Sequence, residues 1–551
     1  MEKNFIVGAE QNPPTRKIST QSGHSPQKLK NSNTKSKMSF IALLLGLFLF
    51  GNANVFAQTL NINSPATWNQ FVNLVNTTGS AGWTFNLMVN VGPGTPIPVN
   101  ITQPLGVFSG TLNGNGNRIT VNITSNATNV GLFSEIAGQG TIRNLVVDGF
   151  VTGGPNSVNV GGLVGQMSSG QMHNITNLSK VTGFNTVGGI IGSINVTSAN
   201  VSVWISCAQN NGFIVGGRCV GGVVGSMTNS AVNSIAAVRA SKNSGTLSGS
   251  GGGSLGNPTY MGGIVGAGFG LEVHVYESVN IGKLLSEKYT YAGGIIAYLG
   301  NGIAYANSNA GIVNGATNSV GGIVGWLGAG SSLERSINTN WISATAPNSG
   351  AIVGMNNGTV SDCFYDRQMC TLTVSIGAGA GIIMSPGWID GLPTINVLGN
   401  NLTPILQPFS WVFANNLYPR PFDGCSFNAT HPISLLSAAP IYLQNGERLD
   451  NVTQNFFVSN WNPFPPMNPT LPFPFQWGSF DDSVFPWTLI PRSVMEYIDV
   501  PPPPSGIAMI NGSGSGWDTL SVRIEYWNLT PAPYPMNYEI IFEKVVPINV
   551  P

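Results

Sequence analysis

From residue 130 onward, apolar and small residues recur in a fixed order: one apolar residue, two glycines, two apolar residues and a glycine. The fullest copy is Val160-Gly-Gly-Leu-Val-Gly165. Others begin at Val187, Val220, Met261, Ala292, Val320 and Ser349, with a shortened copy, Val130-Gly-Leu-Phe133. Counted from the first residue of each, the steps are 30, 27, 33, 41, 31, 28 and 29. A period near thirty residues marks a stacked repeat, in which each unit buries its apolar face only against its neighbour. The step of 41 contains Ser244 to Asn257, SGTLSGSGGGSLGN, which reads as a flexible loop budding from one coil.

A second pattern follows each copy by 14 to 20 residues and ends on Leu145, Ile175, Cys207, Ile235, Val279, Asn307, Ile337 and Cys363. Its steps, 30, 32, 28, 44, 28, 30 and 26, keep pace with the first. Thirty residues fit either a helical hairpin or several short strands. Repeated Gly, β-branched Val and Ile, and Asn or Ser at the bends disfavour helix by roughly 0.5–1 kcal/mol per residue against Ala. The expectation is therefore a parallel β-solenoid with apolar ladders inside, its glycines allowing corners of positive φ and close approach between coils. Which of the two adjacent apolar residues in the motif points inward is left open by the pattern.

The flanks read differently. Residues 1–57 combine a basic segment, the apolar run Phe40 to Phe50 and Val55-Phe-Ala57 before Gln58, as in a secretory signal peptide; Met38 offers an alternative start. No transmembrane segment is expected once that signal is removed. Residues 58–130 form the N-terminal cap and first coils, with Ser64-Pro65 ahead of an amphipathic helix over Ala66 to Val75. Trp68, Phe71, Val72 and Val75 share one side of it, suited to covering the open end of a sheet stack. Residues 131–385 hold the repeats and 386–439 a closing cap and linker. Over 440–551, separated strand-like runs (Ile441 to Leu443, Phe456 to Val458, Ile507 to Ile510, Thr519 to Tyr526, Tyr538 to Phe542) predict a small β-sandwich, loosely Ig-like. The fold class is thus all-β: a right-handed parallel β-helix with an N-terminal helical cap, then a C-terminal β-sandwich module.

Composition sharpens this. Charged residues are only 8% of 551 and glycines number 71, as suits β-structure with many tight turns. The formal charge of zero hides an asymmetry. Seven of 22 basic residues and two of 22 acidic ones lie before Gln58, leaving 15 against 20 and a net charge near −5. Such a balance gives no basic stripe for nucleic acid, and no nucleic-acid partner is expected.

The phrase Phe108 to Ile119, FSGTLNGNGNRI, with Val130 to Phe133 and the repeated glycine motif, resembles the GLUG-motif repeat family of secreted bacterial surface proteins. Cys363 to Gln368, Trp411 to Phe413 and Leu417 to Pro421 resemble the run-out that ends such arrays. The resemblance covers roughly residues 58–425 and implies an adhesin-like surface role. It departs where acidic or Cys positions frequent in the family are Asn, Ser or Ile in this chain.

Candidate chemistry is sparse. Between 58 and 385 the only local carboxylate pairs are Asp362 with Asp366 and Glu272 with Glu277, which read as solvated acids at coil bends. His173, His274 and His431 are the histidines after residue 57, with no H-E-x-x-H spacing, and His173 and His274 read as surface residues. No catalytic, metal or cofactor-binding residue is assigned, no cofactor is expected, and no enzymatic activity is expected. For the five cysteines, Cys363–Cys370 is one open pairing and Cys207–Cys219 another, against a buried thiol at Cys207; Cys207 and Cys363 share a repeat column five coils apart, too far to bond. Trp204, Tyr276, Tyr305, Trp326 and Trp341 form either a stripe for stacking on sugar rings or a packed corner. The reading is a secreted or surface adhesin-like rod with extracellular glycans, host proteins or matrix proteins as partners. Its alternatives are a carbohydrate-active enzyme on the same scaffold and a passive stalk.

Overall fold

The computed structural model describes residues 58–425, apart from 250–257, 385–390 and shorter internal gaps. Beyond Cys425 it describes only strand backbone: Ile441–Tyr442, Arg448–Leu449, Ala508–Met509, Trp517–Asn528 and Asn537–Asn549, the last two paired antiparallel. The signal segment 1–57, the packing of a C-terminal sandwich, His431 and Trp341 lie outside the described residues.

Mostly β, the chain winds into a parallel solenoid of about ten turns. Three walls run along it. Wall 3 has eight strands, from Asn129–Val130 to Asn348–Gly350, and wall 2 has ten, from Leu105–Phe108 to Ile376–Ala378. Wall 1 carries the long strands such as Thr141–Gly153 and Gly170–Asn177. Each coil passes from wall 3 through the glycine motif into wall 2, then by a turn into wall 1. At about 4.8 Å per coil, ten coils span on the order of 48 Å.

The motif spacing is the ladder register itself. Val160 pairs with Val130 and Val187, and Val187 with Val220, then Met261, Ala292, Val320 and Ser349 in turn. From Val130 to Val320 that column is fully buried. Both adjacent apolar residues of the motif point inward: Leu163 and Val164, Ile264 and Val265, and Ile323 and Val324 are all buried. This is possible because the pair straddles the corner, where strand alternation is interrupted.

The expectation of positive φ at the motif glycines fails. Left-handed backbone lies instead on wall 1, at Asn144, Asn174, Cys207, Ala240, Glu277, Ala306, Arg335 and Asp362, with φ between 45° and 55°. The motif glycines answer to close approach. A Cβ on Gly222 would sit 2.5 Å from Cγ of Asn243, and one on Gly221 would enter the shell of the Val224 carbonyl oxygen.

The second sequence pattern drifts out of register. Ladder pairing and its neighbouring bonds align Leu145, Ile175, Ala208, Ser241, Ser278, Asn307, Ser336 and Cys363. Cys207, Val279 and Ile337 are therefore each one residue off, and Ile235 is six. The supposed loop Ser244 to Asn257 is also revised. Leu247–Gly249 is a wall strand pairing with Ile214–Gly216, and Leu247 is core; the extra residues of the long step are those after Gly249.

The helix, α1 (Pro65–Asn73), begins at a capping box in which Ser64 and Thr67 each accept from the other's backbone N–H. Trp68 and Phe71 are buried, whereas Val72 is only half-buried. Phe71 meets Phe85 at 4.9 Å and Phe133 at 6.3 Å between ring centroids, so α1 plugs the first coils with aromatic surface. Just beyond it, Asn76 Oδ1 accepts the N–H of Gly106 at 2.7 Å, satisfying a donor on the outermost strand of wall 2.

Opposite the glycine corner runs a feature the sequence reading missed: a buried ladder of Asn177, Asn210, Asn243, Asn280, Asn309 and Asn338. Each Nδ2 donates to the next Oδ1 at 2.8–2.9 Å. Nδ2 also bonds the carbonyl, and Oδ1 the N–H, of the residue two positions on, as Asn243 does with Gly245. Every polar atom of these carboxamides is used, which is what permits six of them inside an apolar core.

Candidate functional site

Walls 3 and 2 meet at a re-entrant corner. The outward-facing residue just before each motif on wall 3 and the residue just after it on wall 2 face one another. Asn159 Nδ2 donates to Gln166 Oε1 at 3.3 Å across that junction, and Tyr260 packs on Tyr298 at 5.4 Å. Although they point away from the core, Asn159, Thr186, Ser193, Cys219, Ser226 and Tyr260 are at most 8% exposed. A groove therefore follows the corner, with glycine backbone as its floor.

Its two halves differ. In the early coils it is polar, with Asn129, Asn159, Gln166, Thr186 and Ser193. In the later coils it is aromatic, with Tyr260, Tyr291, Tyr298, Phe269 and Trp326. Tyr260 and Tyr291 stack at 5.6 Å, and Tyr298 and Trp326 at 4.5 Å and 8°. These rings spend their faces on one another, and Trp326 Nε1 donates to Met355 Sδ at 3.0 Å. The cluster thus reads as a cross-strand ladder tying coils together. Burial raises the phenol pKa of Tyr260 and Tyr298 and pushes the Cys219 thiol up to about 12, the last opposed by Arg218, so the groups are neutral near pH 7.

The expected aromatic stripe does not form as one line. Trp326 lies on wall 2, whereas Tyr276 and Tyr305 are ladder partners on wall 1 and Trp204 occupies a different column of that wall. The rings that do gather, Tyr260, Tyr291 and Tyr298, could have been found as the positions flanking the glycine motif.

Both carboxylate pairs are separated by their partners. Glu272 bonds His274 Nε2 at 2.8 Å and Glu277 bonds Arg239 at 2.6 Å, at opposite ends of the strand Val273–Tyr276. Five residues of strand place their Cα atoms about 16 Å apart, and each carboxylate is spent on its own partner, not set across a substrate gap from the other as in the paired carboxylates of glycosidases. Asp362 faces Arg335 at 3.8 Å on the left-handed column, whereas Asp366 is buried and accepts from the Tyr418 hydroxyl. His173 is exposed and bonds Ser206 at 2.9 Å. His274, expected at the surface, is 7% exposed because Glu272 and the Tyr276 hydroxyl enclose it. Burial, with Glu272 and Glu334 nearby, pushes the Tyr276 phenol up to about 12. Among the described residues no three His, Cys, Asp or Glu gather as a metal site.

Neither open cysteine pairing forms. Cys207 bonds Cys425 across 218 residues, with Cα atoms 5.6 Å apart; Cys219, Cys363 and Cys370 are free and buried. Cys207 belongs to the left-handed column, one position from the column of Cys363, so the shared repeat column is also corrected. The bond anchors a return strap. Past the last coil, the hairpin of Trp411–Val412 and Arg420–Pro421 lies over wall 1, with Ser410 on Tyr305 at 3.3 Å and Tyr418 on Asp366.

These features define a β-solenoid repeat protein. No family model matches the chain, and no solved structure matches it. Over 112 residues, 20% of its length, it is 37% identical to halomucin of Haloquadratum walsbyi, and the match covers 1% of that protein. The chain is distantly similar to halomucin over that stretch. Among the described residues no helix is long and apolar enough to cross a membrane.

Proposed function

We propose that the chain is a secreted or cell-surface, adhesin-like solenoid that binds glycans or proteins multivalently through its walls. The observation that carries this reading is the polar half of the groove, where outward carboxamides and hydroxyls repeat once per coil with little charge. Weak contacts repeated at one-coil spacing add as linked sites do. Two further facts support a place outside the cell: a disulfide, which persists in oxidising compartments, and the partial match to halomucin. Membership of the GLUG-repeat family, the right-handed coil that connections between parallel strands take and an Ig-like module at 440–551 complete the proposal.

The test is a binding screen of the mature secreted chain on immobilised glycans and extracellular matrix proteins, at low and high surface density. Density-dependent retention is the expected result. Silence on both panels ends the adhesin reading, and binding untouched by any change within 58–425 makes the solenoid a spacer.

A further inference from the structure

We propose that a depression on wall 2, beside the first enlarged turn of the solenoid, is a saccharide-binding site; the inference rests on the glycan-binding reading above and gives it an address. The turn from wall 2 to wall 1 is short after Met167, where Gly170 already begins the next strand, but spans 197–202 between Val196 and Val203. The longer turn overhangs the shorter ones and leaves a cavity of about 490 Å³, bordered by Glu135, Gln139, Gln166, Ser168, Asn195 and Val201. That volume lies in the usual range for small-ligand sites.

The cavity gathers several side chains with unspent hydrogen bonding. Elsewhere the solenoid pairs asparagine with asparagine, as in the buried ladder and in Asn113, Asn144 and Asn174. Around the cavity the pairing stops. Ser168 donates to one oxygen of Glu135 at 2.8 Å, leaving the other oxygen to accept. Asn159, already donating to Asn129, also donates to Gln166 Oε1, which leaves the Gln166 amino group to donate. The side chains of Gln139 and Asn195 bond no other described residue. Planar carboxylate and carboxamide groups present donors and acceptors in adjacent pairs, the complement of neighbouring hydroxyls that each donate and accept. Val201 adds an apolar spot for the C–H face of a sugar ring. One carboxylate among carboxamides suits neutral hydroxyls better than a divalent cation, which gathers several charged oxygens.

The experiment titrates the full secreted chain against the best-retained oligosaccharide of an array of neutral and acidic glycans. Three variants follow: Glu135→Gln, Gln166→Ala and Asn195→Ala. None removes core surface, so unchanged melting checks that each is folded. A tenfold or greater loss of affinity in at least two is the expected result. Unchanged affinity in all three, with the parent still binding, moves the sugar elsewhere and overturns this site while leaving the adhesin reading intact. A parent that binds proteins but no oligosaccharide also overturns the site alone, and one that binds neither overturns both.

Discussion

Two corners of the middle coils are built on opposite principles. The glycine corner works by subtraction: with no side chain in the way, wall 3 and wall 2 touch backbone to backbone. The asparagine corner works by addition, because a buried carboxamide supplies bonds to its own turn and to the next coil. They also meet. The second motif glycine of a coil faces the asparagine of the same coil, as Gly189 faces Asn210 and Gly222 faces Asn243. A visible motif is thus one side of a contact whose other side is the polar spine.

The largest effect is expected from filling the glycine corner. Gly222→Val puts atoms where the Asn243 carboxamide already lies, 2.5 Å from an added Cβ. Neither corner can retreat, because each is locked to the coils above and below. A loss of about 4 kcal/mol or more is expected, read as a fall in secreted yield and melting temperature. A melting temperature within a degree or two of the parent would break the claim that the corners are in contact.

Next in size is emptying the asparagine corner. Asn243→Leu removes the bonds to Gly245 and takes one of two bonds from Asn210 Nδ2, which keeps Gly212 O, and one of two from Asn280 Oδ1, which keeps the Gly282 N–H. Unpaired buried groups cost about 1–3 kcal/mol each, and partial relaxation brings the expected loss to about 3 kcal/mol by chemical denaturation. A neutral result would mean that the spine is no more than a filler of shape.

The strap tests whether the corner chemistry is sealed from outside. Replacing Cys207 and Cys425 together by Ser should cost about 2 kcal/mol and should speed proteolysis between 385 and 425. The intact protein should take up no alkylating reagent at pH 8 without reductant, since Cys219, Cys363 and Cys370 are buried with thiols pushed up to about 12 by desolvation. A raised folded pKa means that these thiols favour the fold below their unfolded pKa, near 8.5, and lose that contribution as pH rises toward 12. Alkaline melting should therefore fall through that window.

The comparison also explains what could be read in advance. The glycine motif was legible because close backbone approach selects glycine in nearly every copy, Ala297 and Ala351 being the exceptions, and so the period followed from spacing. The asparagine spine was written as plainly, at steps of 33, 33, 37, 29 and 29. It was hidden because Asn two residues before Gly, Ser or Asn resembles any turn. The left-handed column could not be read at all: Asn, Asn, Cys, Ala, Glu, Ala, Arg and Asp share a conformation imposed by stacking, not by residue type. The Cys207–Cys425 bond depended on a strap whose path is set by Tyr418 and Ser410. Nor did anything in the order of residues mark the wall 2 cavity, which arises from a difference in turn length between coils.

The smallest effect is the most discriminating, because one chemical change should act with opposite signs two residues apart. Ala304 sits inward on wall 1, fully buried in regular strand, and Ala306 is its neighbour on the left-handed column at φ 53°. Ala304→Gly removes a core methyl and adds unfolded-state freedom, so a loss of about 1 kcal/mol is expected. At Ala306, also buried, a methyl is lost and the same freedom is added, but the left-handed backbone that costs an L-residue roughly 1–2 kcal/mol is relieved. The terms nearly cancel, leaving a net gain of about 0.5 kcal/mol, within reach of paired denaturation curves. If both variants lose stability equally, the column is not strained, and the bend in wall 1 comes from the asparagine ladder alone.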